Sequence, residues 1–417
     1  MDSISYGEKL KPYDLYHEKL TCRIDGSLLD ETLIHFRSLP IAGVYHNGEE
    51  SDYFHDLPFT LMRSSQSGFV QLRQALAPDF YKHYRFAGGI PSGYVEHLSY
   101  ISEIISKITN LDEHAIEIGS GDGTLLEMLH NRGYDIASFE PAYENVKKAR
   151  DLNIPVIADF FTIKTASKVS ARPFDIIIIR HVLEHIDDLN NLFFAIERIS
   201  HRDTILLVEV PDLQTAVKRG IYSNFYHLHP CYFDISTLTK LMNRYGWELN
   251  YAETVEVFGG SILALATQLN STHDLHEMEL AENHPLSVSK DELEEFSKQW
   301  LDHHRKIHRF FDDIVSQGYT ISGYGAGERT TSLLGMAGLT PKHIHCLYDR
   351  NPSLTGRKLT AGKIPIRHPD SLLEDKPDYL AIFARSYEDE IMESLSDYKA
   401  AGGKFITIKQ NPPQIIN

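Results

Sequence analysis

The feature that most constrains this chain is a glycine-rich turn between an apolar run and a helical pattern. The run Ala115–Ile118 leads into Glu117-Ile-Gly119-Ser-Gly121-Asp-Gly123, and apolar spacing over Thr124–Asn131 indicates a helix. Glycines let a backbone approach a ligand closely, and a helix N-terminus offers free N–H groups. On its own, the turn fits a dinucleotide site, a mononucleotide site or a simple tight connection, and in each case it favours an α/β fold.

The alternation of strands and helices continues after this turn. Further strand patterns occur at Ala137–Phe139, Val156–Ala158, Phe174–Ile179 and Ile205–Glu209. The last two are nearly continuous apolar runs, which are typical of strands buried on both faces of a parallel sheet. The patterns therefore predict a doubly wound α/β domain over residues 96–270.

Residues at successive strand ends indicate what this domain binds. Glu140 follows the second strand, where a carboxylate can accept hydrogen bonds from both hydroxyls of a ribose. Asp159 and Phe160 follow the third strand, where a carboxylate can bind an adenine amino group and a ring can cover the base. Together with the glycine turn, these residues predict a site for an adenosine-type ligand. An NAD enzyme would also need a hydride-transfer site near the strand ends, and none is apparent.

The flanking segments predict two further modules. Residues 1–95 mix aromatic and turn residues without a long helical period, which favours a small α+β module. Over residues 271–417, a charged bridging helix at Lys290–Gln317 precedes a second glycine turn, Gly323-Tyr-Gly-Ala-Gly327, and a last strand at Lys404–Ile408. We therefore expect a second, smaller Rossmann-like domain, whose turn could in principle hold another dinucleotide.

Net charge and composition limit the classes of molecule that this chain is expected to bind. The 417 residues include 41 Lys+Arg and 58 Asp+Glu, a formal net charge of −17 that opposes binding to nucleic acid and anionic lipid. No apolar run reaches the ~18–20 residues of a membrane span, and no secretion signal is apparent, so we expect a cytoplasmic monomer or homodimer. Cys22, Cys231 and Cys346 lie far apart, which supports neither a disulfide framework nor a local zinc motif.

The order of these motifs, followed by Phe174-Asp-Ile-Ile-Ile-Ile-Arg-His181-Val-Leu-Glu-His185, resembles the class I S-adenosylmethionine-dependent methyltransferases. The resemblance implies a Rossmann-like fold with S-adenosylmethionine as cofactor. It also implies which residues hold the cofactor, namely Glu117, Gly119, Gly121, Glu140, Asp159, Phe160 and His181.

Blocks further along the chain narrow the resemblance. They are Phe225-Tyr-His-Leu-His-Pro-Cys-Tyr-Phe233, Phe258-Gly-Gly-Ser261, Gly323-Tyr-Gly-Ala-Gly-Glu-Arg329 and Tyr348-Asp-Arg-Asn-Pro352. Together they are similar to the three-module C-methyltransferases that act on nucleotide-linked deoxysugars, over nearly the whole chain. The similarity implies a nucleotide-linked keto-deoxysugar as substrate and a C-terminal domain without its own cofactor. It implies substrate contacts from Tyr226, Tyr324 and Arg329, the last as a phosphate partner.

Methylation at carbon needs a base, and His229 is our candidate. Carbon becomes nucleophilic after a proton is removed next to a carbonyl, and an imidazole with an ordinary pKa near ~6.5 suits that transfer at neutral pH. The resemblance gives His229 the position of the family's base. It gives Tyr226, His185 and Tyr84 positions from which donors could stabilise the developing enolate oxygen.

The N-terminal module departs from the family pattern. The family binds zinc there through two Cys-x-x-Cys pairs, whereas the matching positions in this chain are Cys22, Asp25, Ser64 and Ser67. Serine hydroxyls are poor zinc ligands beside thiolates. We therefore expect no zinc and a module held together by apolar packing.

The catalytic segment departs as well. Leu228 stands where the family has a glutamate that contacts the sugar, and Phe258 stands where it often has a histidine. The base is retained while part of the sugar contact is lost. Two alternatives remain open: an O- or N-methyltransferase acting on a related nucleotide-linked acceptor, and a non-catalytic homologue that binds a nucleotide sugar.

Overall fold

The structure is a computed structural model that describes residues 15–46, 56–82, 92–110, 113–169, 172–273, 287–409 and 411–416. These residues form an N-terminal β-module, a central α/β domain and a C-terminal α/β domain. Elements are numbered below in chain order.

The N-terminal module consists of short antiparallel strands. They are β1 (Tyr16–Glu18), β2 (Glu31–Leu39), β3 (Tyr45–His46), β4 (Leu57–Arg63), β5 (Val70–Leu72) and β6 (Gln74–Leu76), followed by helix α1 (Asp79–Lys82). Strands β2, β4 and β5 form one sheet, and β1 pairs with β6. Phe59, Leu61 and Leu72 are buried in the core of this module.

The central domain is built on a seven-stranded sheet. Its strands are β7 (His114–Ile118), β8 (Asp135–Phe139), β9 (Val156–Ile157), β10 (Phe174–Arg180) and β11 (Ser200–Pro211) and, after the separate β12 (Cys231–Tyr232), β13 (Trp247–Val255) and β14 (Ser261–Gln268). The order is β13-β14-β11-β10-β7-β8-β9, and β14 is antiparallel to both neighbours. Chain order reverses at β7, so the carboxyl ends of β7 and β10 flank the crevice where open α/β sheets bind ligands.

Helices cover both faces of this sheet. They are α2 (Ser92–Ile108), α3 (Thr124–Asn131), α4 (Tyr143–Asp151), α5 (Leu189–Ile199), α6 (Leu213–Arg219) and α7 (Ile235–Arg244), with 3₁₀ turns at Leu183–His185 and Tyr222–Asn224. Helices α2 and α3 pack on one face, and α5 and α7 pack on the other. Each helix has an apolar stripe at helical spacing, and this stripe meets the apolar strands.

The C-terminal domain repeats the doubly wound plan on a smaller scale. Its elements are α8 (Lys290–Ser316), β15 (Ile321–Tyr324), α9 (Glu328–Ala337), β16 (Leu347–Tyr348), β17 (Lys358–Leu359), β18 (Ile366–Arg367), α10 (Leu372–Asp375), β19 (Tyr379–Ile382), α11 (Glu388–Ser394), α12 (Ser396–Ala400), β20 (Lys404–Thr407) and β21 (Gln414–Ile416). The sheet order is β18-β16-β15-β19-β20-β21, parallel except for β21. Its crevice lies at the carboxyl ends of β15 and β19.

Strand pairing joins the three modules. Strand β12 of the central domain extends the N-terminal sheet, with Cys231 opposite Gln71. Strand β17 of the C-terminal domain pairs with β3 of the N-terminal module. The long helix α8 places Trp300 against Phe36 and Phe59 of the N-terminal sheet. The segment that precedes β12 is therefore held between the N-terminal and central modules.

The predicted α/β fold class is confirmed, with four differences in detail. Helix α3 has the predicted bounds, and α8 ends one residue before Gln317, which caps it. The predicted boundary between residues 95 and 96 falls within α2. Strand β13 was not predicted, and the prediction that Lys404–Ile408 is the last strand is wrong because β21 follows it. Among the described residues, no helix is both long and apolar enough to cross a membrane.

Candidate active site

One cavity of about 1710 Å³ is lined by residues from all three modules. Its walls are formed by residues that follow parallel strands of the central and C-terminal sheets, and by Tyr81 of the N-terminal module. The predicted site residues that line it are Gly119, Gly121, Glu140, Phe160, His181, His185, Tyr226, His229, Tyr324 and Arg329. Glu117 and Asp159 are not among the lining residues, and Tyr84 lies outside the described residues.

The glycine turn after β7 has three glycines with positive φ, and two of them, Gly119 and Gly121, line the cavity. Gly119 has φ +73°, and a β-carbon there would lie 2.3 Å from Val182 Cγ2. Gly121 has φ +58°, with no atom within 4 Å of the position of a β-carbon. The first glycine allows close packing inside the domain, whereas the second leaves open space beside the cavity. A ligand can therefore approach the backbone at Gly121.

Glu140, directly after β8, is held by backbone donors. Its Oε2 accepts a hydrogen bond from the Gly121 N–H at 2.8 Å, and its Oε1 accepts one from the Ala142 N–H at 2.8 Å. Burial raises the pKa of Glu140 to about 7, against the lowering effect of these two donors. The carboxyl group is thus fixed against the glycine turn, and each oxygen keeps capacity for a further donor.

Asp159 and Phe160, two and three residues after the end of β9, have different surroundings. Phe160 lines the cavity, and Lys82 Nζ lies 5.9 Å from the centre of its ring. Asp159 Oδ2 accepts from Lys168 Nζ at 2.6 Å, and this pairing lowers the pKa of the Asp159 carboxyl. The ring is thus available to a ligand, whereas the Asp159 carboxylate is paired with Lys168 and does not line the cavity.

Glu117 belongs to a buried charge network below the cavity. Its Oε1 accepts from Arg180 Nε at 2.9 Å and from Arg180 Nη2 at 2.6 Å, and the side chain is fully buried. Burial raises the pKa of Glu117. Its other oxygen, Oε2, is buried without a hydrogen-bond partner among the described residues. Direct cofactor contact by Glu117 therefore stays a prediction, and the contact seen is an ion pair that ties β7 to β10.

His181 follows β10 and has φ +50°. Burial alone would lower its pKa, but the carboxylates of Glu209 and Glu184 raise it to about 9. Glu209 in turn is fully buried and lies 2.6 Å from His97 Nε2. At neutral pH, His181 is therefore a partly buried cation at the cavity wall, compensated by the carboxylates of Glu209 and Glu184.

Tyr226 and His229 form a hydrogen-bonded pair at the cavity. His229 Nδ1 lies 3.1 Å from the Asn224 carbonyl oxygen, which can only accept, so Nδ1 carries the proton. The Nε2 of the neutral ring is then an acceptor, and the Tyr226 hydroxyl donates to it at 2.8 Å. Burial, followed by the nearby His185 and Arg329, lowers the pKa of His229 well below its ordinary value. His229 is therefore neutral at pH 7, the form in which it accepts a proton.

His185 lies against His229, with 4.8 Å between ring centres. Its Nδ1 donates to the Leu228 carbonyl oxygen at 2.6 Å, and Tyr81 donates to the same oxygen at 3.1 Å. Burial lowers the pKa of His185, so the ring is neutral and its Nε2 carries no proton. The predicted role of His185 as a donor to an enolate oxygen would require the protonated ring, and the neutral ring is an acceptor.

The C-terminal domain contributes cations to the same cavity. Arg329, Arg350, Arg385 and Lys409 line it. Arg350 and Lys409 lie within 4 Å of carboxylates, whereas neither Arg329 nor Arg385 does so among the described residues. Burial, and then the charge of Arg329, lower the pKa of Arg385. Two guanidinium groups that repel each other in a cavity form a site suited to an anion.

Arg329 also connects two domains. Its Nη2 donates to the Phe258 carbonyl oxygen at 2.6 Å, and its guanidinium carbon lies 5.9 Å from the centre of the Phe258 ring. The Phe258 ring packs edge-to-face with His181 at 4.9 Å. Phe258 therefore fills the space between the cofactor side and the C-terminal side of the cavity.

Packing explains the first two glycines of the C-terminal turn. A β-carbon on Gly323 would lie 2.5 Å from the Phe383 ring and 2.6 Å from Leu347. One on Gly325 would lie 3.0 Å from the Ala384 β-carbon. These glycines are therefore required by contacts within the domain. A second dinucleotide site is not needed to explain them.

The four positions that match the family's zinc ligands belong to a hydrogen-bonded cluster. Cys22 Sγ lies 3.3 Å from Ser67 Oγ. Ser27 Oγ lies 2.7 Å from Ser64 Oγ and donates to Asp25 Oδ1 at 2.6 Å. Burial raises the pKa of the Cys22 thiol, which disfavours the thiolate that zinc needs. The cluster satisfies its polar groups internally.

Sequence reasoning missed Arg350, Arg385, Lys409 and Glu328, which also line the cavity. The first three follow β16, β19 and β20 within three residues. The rule that ligands bind at the carboxyl ends of parallel strands could have identified them. Glu328 lies in the block Gly323–Arg329, four residues after the end of β15, but the resemblance gave a role in that block only to Tyr324 and Arg329.

Comparison with known proteins matches both large domains. Residues 91–252 match the family described as "Methyltransferase domain", and residues 256–408 match "C-methyltransferase C-terminal domain". The chain is also similar to C-methyltransferase NovU of Streptomyces niveus, with 25% identity over 407 residues, covering 95% of this chain and 96% of that protein. The chain is an S-adenosylmethionine-dependent methyltransferase. Its cofactor is S-adenosylmethionine, and its C-terminal domain is of the C-methyltransferase type.

Two solved structures of lower sequence identity each cover less than half of this methyltransferase. Magnesium protoporphyrin IX methyltransferase from Synechocystis PCC 6803, with bound S-adenosylhomocysteine, is 14% identical, covering 43% of this chain and 85% of that one at a TM-score of 0.36. A methyltransferase from Archaeoglobus fulgidus is also 14% identical, covering 41% and 94% at a TM-score of 0.34.

The residues of the central domain fit the cofactor. The open space at Gly121 admits a ligand against the backbone, which a side chain there would fill. Glu140 offers a buried carboxyl group beside that space, suited to ribose hydroxyls. Phe160 offers a ring at the end of the third strand for the base. We propose these three residues as cofactor contacts of the methyltransferase.

Proposed function

We propose that this methyltransferase transfers a methyl group to a carbon atom of a nucleotide-linked keto-deoxysugar or a close analogue, with His229 as the general base. The observation that carries the proposal is the Tyr226–His229 hydrogen bond of 2.8 Å in the cavity that also contains the glycine turn. Similarity to a C-methyltransferase over 95% of the chain supports transfer to carbon.

The anion site supports a nucleotide-linked substrate. Arg329 and Arg385 line the cavity on the side of the C-terminal domain, and no carboxylate of the described residues lies within 4 Å of either. Guanidinium groups bind phosphate oxygens with paired hydrogen bonds. A diphosphate held there would leave the attached sugar to extend towards Tyr226 and His229, which line the same cavity.

The chemistry at His229 follows from its proton positions. The Asn224 carbonyl fixes the proton on Nδ1, so the lone pair of Nε2 can take a proton from a carbon next to a ketone. When the ketone binds, the Tyr226 hydroxyl turns from His229 to the ketone oxygen. It then donates to the developing enolate, and Nε2 becomes accessible. One hydroxyl thus stabilises the anion and uncovers the base.

The remaining residues position the reactants. S-adenosylmethionine, when bound, supplies an electrophilic methyl group. The glycine turn and Glu140 hold the cofactor at one end of the cavity. Arg329 and Arg385 hold the acceptor at the other end. Fixing both reactants in one cavity converts a bimolecular encounter into an oriented reaction.

A screen of nucleotide sugars tests the proposal. Purified protein is incubated with S-adenosylmethionine and UDP- or dTDP-linked 4-keto-6-deoxyhexoses, and products are detected by mass. We expect a gain of one methyl group. We also expect incorporation of solvent deuterium into the acceptor without methyl donor, because carbon methylation begins with removal of a C–H proton.

The two readouts separate the alternatives. Methyl gain without deuterium incorporation would indicate transfer to oxygen or nitrogen. Absence of S-adenosylhomocysteine binding in an isothermal titration would contradict every enzymatic interpretation of the cavity. Absence of any methyl gain across the sugars would contradict the proposed substrate class.

A further inference from the structure

Glu328, the first residue of α9, lies where the three modules meet. A β-carbon built on Gly43 would lie 3.5 Å from Glu328 Oε1 and 3.5 Å from Leu228 Cδ1. The carboxylate oxygen and the leucine methyl group are therefore at most about 7 Å apart. Gly43 belongs to the N-terminal module, Leu228 to the central domain and Glu328 to the C-terminal domain.

The Glu328 side chain lines the cavity, and no side chain of the described residues forms a hydrogen bond or ion pair with it. It lines the cavity and is half-buried, and among the described residues it forms no ion pair within 4 Å. Asp349, the other nearby carboxylate, is satisfied by the backbone N–H groups of Ala326 and Asn351. A carboxylate that served only to join domains would be expected to have such partners.

Glu328 is also close to the reacting groups. Burial raises the pKa of the Tyr226 hydroxyl, and the charge of Glu328 is the next contribution in the same direction. Leu228 is buried in an apolar cluster that includes Tyr226 and offers no hydrogen bond from its side chain. Two cavity-lining carboxylates act on Tyr226. Glu184 of the central domain lies 3.6 Å from His181 Nδ1, whereas Glu328 comes from the opposite domain and has no such ion pair among the described residues.

We propose that Glu328 binds the acceptor by accepting a hydrogen bond from a hydroxyl group next to the reacting ketone. This inference rests on the proposed function and adds the residue that recognises the sugar. It assigns to the C-terminal domain the polar sugar contact that Leu228 cannot make. Burial raises the pKa of the Glu328 carboxyl, so a hydroxyl donor would offset an existing desolvation cost.

The test compares Glu328→Gln and Glu328→Ala with wild type, using dTDP and a dTDP-linked 4-keto-6-deoxyhexose as probes. We expect the variants to raise KM for the keto-sugar by about 10- to 100-fold, the loss typical of a hydrogen bond to a charged group. Affinities for dTDP and S-adenosylhomocysteine should stay unchanged. Glu374→Gln, an exposed carboxylate of the same domain, is the matched control and should resemble wild type.

A relocated carboxylate sharpens the test. Leu228→Glu alone should impair the enzyme, because two carboxylates would then share a partly buried site. Leu228→Glu combined with Glu328→Ala should recover part of the activity that Glu328→Ala loses. Recovery supports the proposal even if each single variant is poorly stable.

The outcomes distinguish this inference from the proposed function. If wild type binds and methylates the keto-sugar while Glu328→Ala keeps its KM, Glu328 does not contact the acceptor and the proposed function stands. Equal losses of affinity for dTDP and the keto-sugar in Glu328→Gln would indicate a domain-joining role and overturn the inference. If wild type binds neither probe, the proposed function fails first.

Discussion

At the scale of single residues, backbone carbonyls determine the chemistry of the histidines. The Asn224 carbonyl fixes the His229 proton on Nδ1, and the Leu228 carbonyl fixes that of His185 on Nδ1. Both carbonyls belong to the segment that carries His229 itself. The same short segment therefore supplies the base, sets its tautomer and orients its neighbour.

The lowered pKa of His229 predicts the pH dependence of deuterium exchange. Because burial, followed by the nearby His185 and Arg329, lowers this pKa well below its ordinary value, the ring stays neutral and able to accept a proton at a lower pH than a free imidazole would. The exchange rate into the acceptor should therefore fall only at a pH clearly below 6.5. A profile of exchange rate against pH whose midpoint lies at 6.5 or above would contradict this assignment.

Removing the Glu140 carboxyl group should lower the affinity for the cofactor. Glu140→Ala removes the acceptor proposed for the ribose hydroxyls, and we expect a loss of about 1.5–3 kcal/mol in the binding free energy of S-adenosylhomocysteine. Isothermal titration measures it. Glu144→Ala, an exposed carboxylate on α4, is the control. An unchanged affinity in Glu140→Ala would show that this carboxyl group does not face the ribose.

The sequence predicted which residues reach the cavity, and what they contact there, better for some positions than for others. Tyr226 and His229 lie in one contiguous block, so a resemblance along the chain was sufficient to select them. Glu117 was predicted as a cofactor contact, but the ion pair with Arg180 depends on register between β7 and β10. Glu328 depends on packing among three modules, which no local pattern records.

At the scale of elements, two glycines of the turn after β7 are needed for different physical reasons. Both Gly119 and Gly121 have left-handed φ values, but only at Gly119 would a β-carbon collide with a neighbour. Gly119→Ala and Gly121→Ala should each pay about 1–2 kcal/mol for the backbone conformation. Gly119→Ala should lose about a further 1–3 kcal/mol from overpacking against Val182.

Denaturant unfolding of the two variants measures the difference in the free energy of unfolding. Gly121→Ala should keep most of its stability and lose S-adenosylhomocysteine affinity, because its new methyl group occupies the open space. Equal losses of stability in both variants would contradict the contact with Val182.

Strands and helices were predicted best from the sequence where the element is almost completely buried. Strand β10 is apolar at nearly every position, and α3 combines a glycine before it with clear helical spacing. Strands β12 and β16 have two residues each, so they show no period. Strand β12 forms only because β5 offers an edge, and that edge belongs to another module.

At the scale of the whole molecule, the contacts inside the N-terminal module predict that the protein folds without zinc. The Cys22–Ser67 and Ser27–Ser64 hydrogen bonds satisfy the polar groups of the former ligand frame. Metal analysis of purified protein should find less than one zinc per chain, and a chelator should leave the thermal unfolding midpoint unchanged. Full zinc occupancy, or a lower midpoint with chelator, would contradict this account.

The central claim concerns the whole cavity, because His229 can act only if the modules bring cofactor and acceptor together. The most direct measurement is deuterium incorporation into the acceptor, without methyl donor, by wild type and His229→Ala. His130→Ala, an exposed histidine on α3, is the control. We expect His229→Ala to bind S-adenosylhomocysteine and acceptor like wild type. Its exchange and turnover should fall by about 10²–10⁴-fold. Exchange that persists in His229→Ala would contradict the assignment of the base.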